Sequence, residues 1–168
     1  MQTSTLGWSL GVIFRAWHDA VTAALADFPH GARGHQILEF VAEDTLPTQA
    51  ALAAHLGIDR TVLTYVLDDL VAEGVIERQT DAADRRVRRL AVTAAGRHRL
   101  AALDSTVSTA EAEVLGRLPA EDRELLRAVL ERAGIAIHRG EPGHDACLVV
   151  GDILATELAA EGAGRVAS

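Results

Sequence analysis

The stretch "LGIDRTVLTYVLDDLVAEGVIERQTDAADRRVRRLAVT", Leu56 to Thr93, changes its hydrophobic period halfway along, and that change decides the fold. Before Gly74 the apolar residues Leu63, Val66, Leu67 and Leu70 recur at spacings of three and four, the period of one helical face. Asp59 stands where an N-cap is needed, and Gly74 where a helix ends. After Gly74, "VIERQT" (75–80) and "VRRLAVT" (87–93) are short β-prone runs on either side of the turn-forming "TDAAD", a hairpin pattern with Val75, Ile76, Val87, Leu90 and Val92 as its apolar residues. Just upstream, Thr48 caps a shorter helix whose Leu52, Ala53 and Leu56 face inward, and Gly57 permits the left-handed turn that closes it.

The order helix, tight joint, helix, arginine-bearing hairpin describes a winged helix-turn-helix. A helix about 10–12 Å across fits the major groove of DNA, while a two-stranded wing reaches the adjacent minor groove. With the apolar face of Asp59–Glu73 turned inward, Arg60, Thr61, Val62, Thr64, Tyr65, Asp68 and Asp69 face out. Thr61, Thr64 and Tyr65 can hydrogen-bond base edges or phosphates, Val62 can touch a thymine methyl, and Arg60 suits a phosphate or a guanine.

Working outward, Leu10, Ile13, Phe14, Trp17, Val21, Ala24, Leu25 and Phe28 predict a helix over residues 6–28, stopped at "FPHGARG". A second helix follows in "HQILEFVAED". Beyond the hairpin, Thr93 caps a long helix running to Leu118 with Leu100, Leu103, Val107, Val114 and Leu115 on one side. Pro119 opens another, with Glu121 and Asp122 in its first turn and a stripe of Leu125, Leu126, Val129, Leu130 and Ala133. A last helix is expected over Asp145–Ala160, followed by a loose end.

The chain has 168 residues and a formal net charge of −8; 49% of it is hydrophobic and 4% aromatic, so its core is built from Ala, Leu and Val. Cys147 is the only cysteine, which leaves no disulfide framework or CxxC zinc site within one subunit. No apolar run approaches the roughly 18 residues of a membrane span, and the N-terminus lacks the basic start of a secretory signal, so a cytoplasmic location is expected.

Acidity ordinarily argues against nucleic acid, because phosphate binding is driven by Lys and Arg. Here the distribution matters more than the sum. Residues 1–44 hold 2 Arg against 5 acids, 45–93 hold 6 against 7, and 94–168 hold 8 against 12. From Arg78 to Arg89 five Arg face only Asp81 and Asp84. All sixteen basic residues are Arg, which suits bidentate and groove-inserted contacts or reflects GC-rich coding.

The run "TQAALAAHLGIDRTVLTYVLDDLVAEGVIERQTDAADRRVRRLAVTAAGRHRL" resembles the MarR family of transcriptional regulators, and the resemblance extends over about residues 30–135. It is carried by Asp84-Arg85-Arg86, by "LAVT" at Leu90–Thr93 and by Gly96. It implies a mostly α fold with a small β-hairpin wing, a winged helix-turn-helix domain plus a helical dimerisation domain, and a homodimer. Residues 1–44 then supply dimerisation and a ligand pocket, 45–93 bind DNA, and 94–168 dimerise, as one intertwined unit. Arg86 is expected to enter the minor groove, oriented by Asp84, with Arg85 and Arg88 beside it. The alternative is that these arginines only pair with Asp81, Asp84 and nearby acids. Tyr65 and Asp69 depart from the family, which often has basic residues there.

The resemblance also implies an effector, a small aromatic or anionic molecule. Trp17 and Phe40 can stack on a ring, and Arg15, His18 or His35 can meet a carboxylate; the alternative places Trp17 in a dimer core and the histidines in ordinary surroundings. His18, His30 and His35 invite a metal reading, but no HxH or HExxH spacing supports one, and neither metal nor cofactor is expected. No nucleophile elbow, P-loop or dinucleotide fingerprint marks an enzyme. The expected function is a ligand-responsive repressor on a pseudo-palindromic DNA operator; the alternative is a dimeric winged-helix module that binds protein instead.

Overall fold

The computed structural model describes residues 5–43, 48–80 and 88–140, with the side chains of 138–140 excepted. Six helices and one hairpin make up these residues: α1 (Leu6–Ala24), α2 (Gly31–Ala42), α3 (Gln49–Leu56), α4 (Arg60–Ala72), β1 (Ile76–Thr80), β2 (Arg88–Val92), α5 (Ala94–Leu115) and α6 (Ala120–Gly140). The mostly helical fold with a small antiparallel wing is the one expected. The predicted helix over 145–160, Cys147 and the wing residues Asp84, Arg85 and Arg86 lie outside the described residues.

The helix-turn-helix forms where its caps dictate. The Thr48 hydroxyl accepts from the Ala51 N–H at 3.1 Å, and the Asp59 carboxylate accepts from Thr61 and Val62 at 2.8 and 3.3 Å, so both helices begin with satisfied donors. Those N–H groups hold the Asp59 carboxyl below the usual carboxylate range, Thr61 contributing most. Between the helices Gly57 takes the left-handed conformation at φ 60°.

In the hairpin Ile76 faces Val92, Arg78 faces Leu90 and Thr80 faces Arg88. Thr48 adds an isolated bridge to Arg89, so one threonine caps α3 and also docks it to the wing. Thr93 has a similar double role. Its hydroxyl accepts from Gly96 N–H at 2.8 Å to start α5 and donates to the Gly74 carbonyl at 2.7 Å, fastening α5 to the end of α4.

Three helix boundaries differ from the periodicity, one of them the end of α5, which comes at Leu115 and not at Leu118. α1 ends at Ala24 and not at Phe28, because the hydrogen bonds tighten from four-residue to three-residue steps, as in Ala26 to Ala23, ahead of Pro29, which disfavours helix at the residue before it. Leu25 and Phe28 remain buried from the turn. α2 begins at Gly31 and not at His35. Gly34 does not break it: a Cβ there would stand 1.9 Å from the Pro29 carbonyl oxygen, so glycine is what lets the helix press against the preceding turn.

One apolar core joins α1 through α5 and the hairpin, with Leu25, Ile37, Leu38, Leu52, Leu63, Leu67, Leu70 and Ile76 inaccessible to solvent. The ends of the molecule behave otherwise. Leu6, Trp8, Leu10 and Val12 on α1 and Leu125, Val129 and Leu130 on α6 are exposed, although the sequence marks most of them as an apolar stripe. Among the described residues, no helix is long and apolar enough to cross a membrane.

Candidate nucleic-acid interface

The outer face of α4 is as the period predicts. Leu63, Val66, Leu67 and Leu70 are buried, while Arg60, Thr61, Val62, Tyr65, Asp68 and Asp69 are exposed; Tyr65 keeps 66% of its surface and Val62 53%. Thr64 is half-buried. Its hydroxyl donates to the Arg60 carbonyl at 2.8 Å and accepts from the Gln49 side-chain amide at 2.6 Å, which locks the first turn of α3 onto α4. The hydroxyl proton is therefore already engaged, and one acceptor lone pair is left. Gln49 was not singled out from sequence; its 15-residue separation from Thr64 carries no local signal.

Both acids of the outer face have cationic or imidazole partners. Asp68 pairs with Arg78 on β1 at 2.6 Å, which ties α4 to the wing. Asp69 meets His30 Nε2 at 2.8 Å, across 39 residues. His30 itself holds a positive φ of 60° in the turn before α2, a conformation that non-glycine residues adopt at a cost. Thus both acids of this face, including Asp69, which departs from the family pattern, are held by the elements packed around α4.

Arg88 opens β2, exposed, and donates to the Thr80 hydroxyl at 2.7 Å. It stands at the register pair nearest the residues that join the two strands, the segment containing Asp84, Arg85 and Arg86.

The effector candidates have separate neighbours. Trp17 Nε1 donates to Glu111 on α5 at 3.0 Å, and Glu111 also pairs with Arg127 of α6 at 3.5 Å. His18 stacks on Phe14 with ring centroids 6.1 Å apart and lies 3.7 Å from Asp19. Phe40 meets the His55 ring edge-on at 4.6 Å. Arg15 borders a groove with Asp19, Glu113 and Arg117. His35 is buried, its Nε2 2.8 Å from Asp104 and its Nδ1 3.7 Å from Glu39. The three histidines considered as a metal set do not share partners: His18, His30 and His35 each take different carboxylates. The His35–Glu39 spacing of four was visible in the sequence, but Asp104, 69 residues on from His35, was not.

A wider groove of about 630 Å³ lies between α1, the end of α5 and α6, walled by apolar residues that include Val12, Ile13, Val114, Leu125 and Val129.

Comparison with known proteins places this architecture. Residues 33–87 match the model of the MarR family. Wild-type MarR of E. coli in its apo form superposes with a TM-score of 0.65 at 21% identity, covering 79% of this chain and 98% of that one. A Mycobacterium tuberculosis MarR family protein in complex with DNA gives 0.67 at 24% identity over 79% and 99% of the two chains, and the form in complex with salicylic acid gives 0.63 at 24% over 79% and 98%. The family segment spans the helix-turn-helix and runs into the wing, and the solved structures share the fold of the remaining helices, so the chain has a winged helix-turn-helix fold whose residues 33–87 are similar to the MarR family.

Proposed function

We propose that the chain is a homodimeric transcriptional repressor that binds a pseudo-palindromic DNA operator and releases it on binding a small aromatic or anionic effector. The observation that carries this reading is the outer face of α4, where Arg60, Thr61, Val62 and Tyr65 stand exposed beside a wing tied to the same helix by Asp68 and Arg78. In this reading α4 enters the major groove. Arg60 contacts phosphate or guanine, Thr61 and Tyr65 donate to bases or backbone, and Thr64 holds Gln49 at the joint while offering its free lone pair. Arg86 enters the minor groove, oriented by Asp84 and flanked by Arg85 and Arg88.

Support for the dimer comes from the exposed apolar residues of α1 and α6 and the apolar groove between them, the kind of surface that marks an interaction site. Two recognition helices related by a two-fold axis then read half-sites about one helical turn apart. Effector response is supported by the related protein seen with salicylic acid. Arg15, Trp17, His18 and Phe40 are the residues this reading gives to it, and a differential affinity of a few kcal/mol between the two dimer geometries is enough to release DNA. No catalytic role belongs to this reading, and a cytoplasmic location goes with it.

Fluorescence anisotropy on the DNA upstream of the protein's own gene, with random duplex as competitor, tests it at about 50 and 200 mM salt. Wild type should bind in a competitor-resistant, salt-dependent way. Arg86→Ala should weaken binding about tenfold or more and lower the salt slope by about one per subunit. Binding no better than to random DNA, unchanged by the substitution, would favour the protein-interaction module instead.

A further inference from the structure

We infer that His35, Glu39 and Asp104 form a binding site for one divalent transition-metal cation that joins α2 to α5. The site is independent of the DNA reading and uses a histidine that the sequence reading offered to an anionic effector. His35 and Glu39 lie one turn apart on α2, Asp104 comes from the facing α5, and one ligand atom from each lies within 4.8 Å of the other two.

Three features of this corner favour a cation. The first is its charge. Two carboxylates bracket one imidazole, so an effector's carboxylate brought to His35 would meet like charge from Glu39 and Asp104. The second is the position on the helix. Glu39 occupies the last turn of α2 and Glu43 its C-cap, where the helix carries partial negative charge, and no basic residue stands in that turn. A divalent cation would relieve all of these together. The third is the combination of a fixed ligand with an open side. The His35 side chain is only 11% exposed, whereas Glu39 and Asp104 retain 48% and 53%. The imidazole is held in place by packing, and the ion has a path from solvent.

The donor set selects the metal class. One imidazole and two carboxylates suit zinc, manganese or cobalt better than calcium or magnesium, which prefer oxygen alone. Bonds of about 2.0–2.2 Å put neighbouring donors about 3–3.5 Å apart. His35 Nε2 and Asp104 Oδ1 are already 2.8 Å apart, and a rotamer change brings in the half-exposed Glu39. The ion takes the place of the hydrogen bond between them. Because α2 packs on both β2 and α5, an ion here stiffens the joint between the wing and the long helix.

Cobalt(II) is the probe, added to full-length protein freed of metal with a chelator and followed by visible absorption and by thermal melting. Wild type should take up one cobalt per chain, develop the ligand-field band of a nitrogen–oxygen site and melt at a higher temperature. Glu39→Gln and Asp104→Asn, both at half-exposed positions, should fold and bind cobalt at least tenfold more weakly, with the melting shift lost in the double variant. Equal binding by wild type and variants would overturn the site. So would a thiolate-to-cobalt band, which would place the ion on Cys147, or the absence of uptake by wild type at millimolar cobalt.

Discussion

Gly96 shows how much one missing side chain can decide. It lies in the first turn of α5, where a Cβ would stand 1.9 Å from the Val75 carbonyl oxygen and 2.9 Å from Val92. The obstacle is backbone, so Gly96→Ala should destabilise the protein by about 1–3 kcal/mol or more, read as a lowered melting temperature, even though alanine favours helices. The family resemblance singled out this glycine; its reason, the approach of α5 to the hairpin, became visible only in three dimensions. Glu39 offers a second test. Its carboxyl is raised above the ordinary glutamate value, so its favourable contribution is complete at acid pH and is lost as pH rises through the raised folded value. With chelator present, Glu39→Gln should therefore melt higher than wild type near pH 8 and equally near pH 4, about the ordinary glutamate pKa. The exposed side of α4 was legible residue by residue. The partners of Asp68 and Asp69 were not, because Arg78 and His30 reach them from other elements.

At the scale of elements, caps and periods did most of the work. Thr48, Asp59 and Thr93 each accept the hydrogen bonds expected of an N-cap, and the switch from a period of 3.6 to one of 2 after Gly74 marks where the wing begins. Errors came where glycine was read as a breaker. Gly34 lies inside α2 because close packing requires it there, and no pattern of hydrophobic residues distinguishes that use from a turn. The proposed role of α4 yields a prediction at this scale. Asp69→Arg replaces an acid by a base on the outer face, so DNA affinity should rise and the slope of log affinity against log salt should steepen by about 0.9 per subunit. An unchanged slope would place this end of α4 away from the phosphates.

For the molecule as a whole, the informative observation is apolar surface left uncovered. Leu125, Val129 and Leu130 of α6 keep 61%, 42% and 41% of their surface, and the neighbouring half of α1 is equally open. If these faces meet in a homodimer, Leu125→Glu combined with Val129→Glu should give a monomer in sedimentation or light scattering, because burying two carboxylates without partners costs several kcal/mol. The wild-type melting temperature should rise with protein concentration and that of the variant should not. A wild-type monomer at micromolar concentration would rule the arrangement out.

What the sequence determined by itself was local: which stretches form helix or strand, where the capped helices α3, α4 and α5 begin, and which side of α4 is apolar. These follow from hydrogen-bond capping and from the spacing of side chains along one chain. Only the tertiary structure decided that Asp69 meets His30, that Thr64 holds Gln49, that Glu111 joins Trp17 to Arg127, and that His35 lies between two carboxylates. Such contacts bring together residues from 15 to 94 positions apart, along with some much nearer. No local period encodes them, because they depend on how whole helices pack.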